Sequence, residues 1–108
     1  MSFKTTFQTT GHNSDMEIKE FIDYLRAQGF PEPVVVKKEG NIYIGPHSHN
    51  FEALALIING EISLDVGGNR VLYKKGDTFH LKNEEVHSEK YGPYGVEYLV
   101  SRKVTDEN

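Results

Sequence analysis

The sequence predicts an all-β domain, a small barrel or sandwich, preceded by one amphipathic helix. Three observations carry this reading. From Val34 onward apolar residues recur with period two in short runs. Turn residues such as Gly60, Gly67-Gly68 and Gly76 interrupt those runs at a spacing of roughly eight to twelve, as in sandwiches and barrels. Only the segment before Val34 carries the 3.6-residue period of a helix.

Met1 to Asn13 is a polar arm whose large apolar residues are Phe3 and Phe7, either a tail or an edge strand docking on another surface. The helix starts at Ser14 as N-cap, with Glu17 completing a capping box and Asp15 favouring the positive end of the dipole. Ile18, Phe21, Ile22 and Leu25 share one face, and Gly29 followed by Phe30-Pro31 ends it. Such a helix covers a sheet. Residues 1–33 are thus arm and helix, and 34–104 the β-barrel, together forming one domain.

The strands follow in order. Val34 to Val36 leads to the turn Glu39-Gly40-Asn41 and then to Ile42–Gly45. The apolar run Phe51–Ile58 closes at Asn59-Gly60, a two-residue hairpin signal because both positions tolerate positive φ. Glu61–Val66 returns, Gly67-Gly68-Asn69 turns, and Arg70–Tyr73 follows. After Lys75-Gly76-Asp77 come Thr78–Leu81, a polar loop from Lys82 to Glu85, and Val86–Lys90. Tyr91-Gly92-Pro93-Tyr94-Gly95 loops into a last strand, Val96–Arg102, and Thr105–Asn108 is a frayed end.

Composition narrows the function. The chain has 108 residues and a formal charge of −4, from 12 basic and 16 acidic residues. Its Lys and Arg are scattered, so the basic footprint of a nucleic-acid binder is missing. With no cysteine there is no disulfide, thiolate metal site or cysteine nucleophile, which fits a reducing cytoplasm. No segment approaches the roughly 18 apolar residues needed to span a bilayer, and no signal peptide is read at Met1–Ser14. A soluble, cytoplasmic protein without membrane partners is expected.

The chemistry concentrates in His47-Ser48-His49, with Glu52 after it and a third histidine, His87, downstream. Imidazole is the commonest neutral ligand of first-row transition metals. On a strand, side chains at i and i+2 point to the same face; on a helix they would diverge by about 200°. If residues 41–58 are extended, His47 and His49 can serve one ion. By alternation Tyr43, His47, His49, Phe51 and Ala53 share a face, while Glu52 lies opposite with Leu54 and Leu56. A bulge near Asn50 would bring Glu52 inside as a fourth ligand or a general base. Tyr43, Phe51 and Tyr98 are candidate pocket walls. Tyr91 and Tyr94 either line the mouth or only pack. His80 is read as outward-facing, and His12 as incidental to the arm.

These residues resemble the cupins, small β-barrels of jelly-roll type. His47, His49 and Gly60 stand where the first cupin motif places them, and Gly76, Asp77 and His87 match the second. Three departures stand beside the match. Gly40 lies one position too far upstream, Lys82 and Glu84 replace a proline and a glycine, and Glu52 precedes the family's glutamate position, here Ala53 or Leu54. The resemblance spans about residues 34–102. It implies one divalent transition metal, Fe, Mn, Ni, Cu or Zn, bound by His47, His49 and His87, with Glu52 in addition if it faces inward. It further implies a dioxygenase or isomerase acting on a small molecule, or alternatively a non-catalytic small-ligand sensor module.

Ala53–Ile58 is apolar on both faces, so the strand needs cover on the outside as well as the inside. The helix or a second subunit can supply it, and a homodimer is the expected state.

Overall fold

The computed structural model describes residues 5–6 and 14–104, with 5–6 and 14–17 as backbone alone. Expectations for Phe3, Phe7, His12, the capping side chains of Ser14, Asp15 and Glu17, and residues 105–108 lie outside what is described. Helix α1 (Ser14–Ala27) stops where glycine allows it to. Gly29 takes φ +79°, its N–H donates to the Arg26 carbonyl, and the Phe30 N–H donates to the Leu25 carbonyl at 2.9 Å. This is the double bond pattern of a Schellman cap.

Among the described residues seven antiparallel strands make one curved sheet: β1 (Thr5–Thr6), β2 (Val34–Lys38), β3 (Tyr43–His47), β4 (Glu52–Val66), β5 (Asn69–Lys74), β6 (Asp77–Leu81) and β7 (His87–Lys103). Their order is β1-β6-β4-β7-β2, with β3 also on β7 and β5 also on β4. Two expected turns are corrected here. Asn59-Gly60 does not make a hairpin, and Tyr91–Gly95 does not make a loop. Both segments lie inside long strands, so β4 and β7 pair along almost their whole length, from Glu52↔Lys103 to Asp65↔Ser88.

The reason is visible in the alternation. On β4 the core-facing residues are Ala53, Ala55 and Ile57 before Gly60, but Ile62 and Leu64 after it. The inward parity changes from odd to even, which needs one extra residue, and the register slips between Ile57 and Ile62. On β7 the inward residues change in the same way, from His87, Glu89 and Tyr91 to Val96, Tyr98 and Val100. The positive-φ glycines at Gly60 and Gly95 therefore bend two strands at one corner instead of reversing the chain. A Cβ on Gly60 would run into the Gly95 carbonyl.

The inner face forms the main core, where Phe79 meets Tyr98 edge to face at 5.6 Å and lies tilted against Tyr73 at 5.5 Å. On the outer face Phe21 and Leu25 of α1 bury Leu56, joined by Ile18, Leu54 and Leu99. Helix α1 is thus the cover that the two-sided apolar run of β4 requires. Removing a fully buried contact such as Leu56 costs roughly 2–5 kcal/mol. The Ser101 hydroxyl donates to the Pro31 carbonyl at 2.6 Å and fixes the link between helix and barrel. Among the described residues no helix is long and apolar enough to cross a membrane.

Candidate metal centre

Strand β3 delivers the first histidine by means of an irregularity. Tyr43 pairs with Lys90 and Ile44 with Glu89, but the next pair is His47 with His87, so Gly45-Pro46 absorbs an extra residue. This slip reverses the facing of the preceding residues. Ile44 lines the cavity, and Tyr43, expected as a pocket wall, is 58% exposed and lies outside it. From His47 onward the expected alternation holds, and His47, His49, Phe51 and Ala53 all line one cavity of about 300 Å³.

His47, His49, His87 and Glu89 present ligand atoms within 4.8 Å of one another. The imidazole centroids lie 4.3 Å apart for His47–His87, 4.9 Å for His47–His49 and 5.5 Å for His49–His87. His49 stacks on Phe51 at 4.8 Å, and its carbonyl accepts a hydrogen bond from the Glu84 amide at 2.7 Å. The other two rings are aimed by backbone. His47 Nδ1 lies 2.7 Å from the Gly45 carbonyl and His87 Nδ1 lies 2.9 Å from the Glu85 carbonyl. A carbonyl only accepts, so each Nδ1 carries the proton and each Nε2 keeps its lone pair for the cluster when the ring is neutral.

Glu89 stands where those lone pairs meet. Its Oε2 is 3.1 Å from His47 Nε2 and 3.3 Å from His87 Nε2, while its Oε1 accepts a hydrogen bond from Tyr91 at 2.9 Å. The His87 contact lacks hydrogen-bond alignment, and Nε2 of this residue, only 2% exposed, is a buried polar atom left without a partner. Such an atom is costly unless something fills its valence. A cation held among these four groups would do so, and a three-imidazole, one-carboxylate set suits a divalent transition metal. The donors therefore fit a metal.

Burial and neighbouring charge move the groups of the cluster in different directions. Burial, followed by the neighbouring His47 and His87, lowers the His49 pKa. For His87 burial acts downward, but the Glu89 carboxylate and the Glu85 carbonyl outweigh it and hold the pKa above its ordinary 6.5. For Glu89 burial acts upward, and His87, Tyr91 and His47 outweigh it and hold the pKa below 4.5. The Tyr98 hydroxyl, buried and facing Glu89, is pushed up to about 12 and stays protonated.

Glu52 is not in this cluster. No bulge forms at Asn50; β4 enters regular pairing with Leu54 opposite His80, which leaves Glu52 on the outer face, 2.6 Å from His80 Nε2. The acidic position next to the histidines is held by Glu89 instead. Its sequence signal was the same one that linked His47 to His49: Glu89 is two residues from His87 on an extended strand. Phe51, Tyr91 and Tyr98 line the cavity, and Tyr94 is 96% exposed.

The family profile for the cupin domain matches residues 34–90. No curated protein sequence matches the chain. Among solved structures it is similar to a DUF861 family protein from Thermotoga maritima, with a TM-score of 0.64 and 13% identity over 93% of this chain and 97% of that one. It is also similar to a predicted oxalate decarboxylase from the same organism, with a TM-score of 0.59 and 17% identity over 96% and 81% of the two chains. An RmlC-like cupin from Shewanella frigidimarina gives a TM-score of 0.56 and 20% identity over 70% and 69%. At these identities the structures speak to the fold.

Proposed function

Because this chain belongs to the cupin family, and because its barrel gathers three histidines and a glutamate on one inner face, we propose that it is a mononuclear metalloenzyme acting on a small molecule, as a dioxygenase or isomerase. The observation that carries this is the buried, unpartnered His87 Nε2 beside Glu89, with the rings of His47 and His87 oriented by backbone carbonyls. His47, His49, His87 and Glu89 would hold the ion, which when bound supplies Lewis acidity or a redox centre with coordination positions left for substrate.

The chain's own groups supply the rest. Glu89 is the one carboxylate among the cavity's lining residues, and Tyr91 holds its Oε1 so that Oε2 faces the histidines. The protonated Tyr98 can donate to a substrate oxygen. Phe51, Phe79, Leu81 and Val100 keep water away from the inner wall. Protein loaded with Fe(II), Mn(II), Ni(II), Cu(II) or Zn(II) is tested for dioxygen uptake and substrate turnover beside a folded His49→Ala variant. Turnover in the parent and loss of about a hundredfold or more in the variant supports the assignment. Equal turnover in both contradicts it.

A further inference from the structure

The charges lining the cavity do not balance. Lys38 of β2 and Arg102 of β7 both line it, against the carboxylate of Glu89, although the chain as a whole carries −4. Glu89 is already engaged by His47 and Tyr91, so it does not neutralise them. Among the described residues Arg102 forms no ion pair. Its guanidinium carbon lies 5.7 Å from the Phe51 ring centroid, and that same ring stacks on His49 at 4.8 Å. A divalent ion at the cluster would make the excess of positive charge larger still.

Resting on the metal-site reading above, we propose that the cavity takes a small organic acid whose carboxylate is held by Arg102 while a second oxygen reaches the His47–His49–His87–Glu89 cluster. The planar fork of an arginine matches a carboxylate with two parallel hydrogen bonds. Contact with Phe51 holds the guanidinium beside the ligand imidazole, so little freedom is lost when the acid binds. Arg102 is exposed and stays open to an incoming anion. Lys38 adds to the field that draws anions into the mouth, an effect that fades as salt rises. The apolar wall of Leu81 and Val100 meets the short carbon skeleton.

The probe is pyruvate, with its neutral analogue pyruvamide as control. Each is titrated calorimetrically into Co(II)-loaded parent, Arg102→Gln and Arg102→Lys proteins at low salt, with the visible Co(II) spectrum recorded on the same samples. The parent should bind pyruvate at least about tenfold tighter than pyruvamide, the strength typical of a charge-assisted contact. Arg102→Gln should lose that preference while keeping its Co(II) bands, and Arg102→Lys should regain part of it. Equal binding of both probes by the parent, an undiminished preference in Arg102→Gln, or tighter binding of inorganic phosphate than of pyruvate overturns the carboxylate assignment. Absence of Co(II) bands from the parent overturns the metal site itself, and the two-ended binding with it.

Discussion

Glu89 Oε2 stands 3.1 Å from His47 Nε2, a contact between residues 42 positions apart that β3 and β7 bring together across a slipped register. The carboxylate offers the fourth candidate donor of the cluster and contacts an imidazole that the Gly45 carbonyl already orients. Glu89→Gln keeps the shape and removes the charge. Its affinity for Zn(II) is expected to fall about ten- to a hundredfold, in the range seen when a metal's surroundings are disturbed. Tyr91→Phe, which touches only Oε1, should cost less. Competition titration against a chromophoric chelator measures both, and an unchanged affinity in Glu89→Gln would remove it from the ligand set.

The Glu52–His80 pair offers the matching control, since it lies on the outer face. Both side chains are partly exposed, so the pair is worth at most about 1 kcal/mol. Glu52→Gln and His80→Gln should leave metal stoichiometry and affinity unchanged. A large loss of affinity in Glu52→Gln would restore the glutamate that the sequence first pointed to.

Gly60 tests the barrel corner. Its φ of +74° strains any other residue by about 1–3 kcal/mol, and a Cβ there also meets the Gly95 carbonyl. Gly67 has φ +60° with open space around it, so it carries the strain without the clash. Thermal unfolding should therefore show a greater loss for Gly60→Ala than for Gly67→Ala. Equal losses would mean that the close approach of β4 and β7 at this corner is not tight.

The stability of the metal-free protein should peak between the Glu89 and His87 titrations. The pKa of His87 is raised, so its contribution is complete below 6.5 and is lost as pH rises through its folded value. The pKa of Glu89 is lowered, so its contribution is present above 4.5 and is lost as pH falls through its folded value. Zn(II) needs His87 neutral, so the rise in Tm that it produces should grow with pH over the range in which the metal-free Tm declines. Calorimetry with and without Zn(II) checks both slopes. A Zn(II) effect that is flat across the His87 titration would show that the ion displaces no proton there.

Much of the site was legible because period-two alternation is a strong constraint. His47, His49, Phe51 and Ala53 line the cavity as their spacing required. Tyr43 and the two misread turns were lost to single extra residues, whereas Glu52 stays outside because no extra residue is inserted at Asn50. Alternation put Tyr43 with His47, but the slip at Gly45-Pro46 sends Ile44 inward in its place. Asn59-Gly60 carries the chemistry of a hairpin, and its positive φ is real, yet it serves a bulge because β7 is paired on both sides of it. Local sequence specifies a φ value, while the partner strand decides whether that φ makes a turn or a bend. Helix α1 was readable from its apolar face and from Gly29, and the outer apolar residues of β4 told what it had to cover. Glu89 was the least legible member of the cluster, because only its i, i+2 spacing from His87 on an extended strand places it on the histidine face.

Elemental analysis of untagged protein, after anaerobic incubation with Fe(II), Mn(II), Ni(II) and Zn(II) and removal of loosely held ions, tests the central claim most directly. It is run beside a His47→Ala/His87→Ala variant. About one equivalent of a transition metal per chain in the parent, and none in the folded variant, is the predicted result. A parent that stays empty, or a variant that retains the metal, would contradict the assignment of His47, His49, His87 and Glu89 as a metal centre.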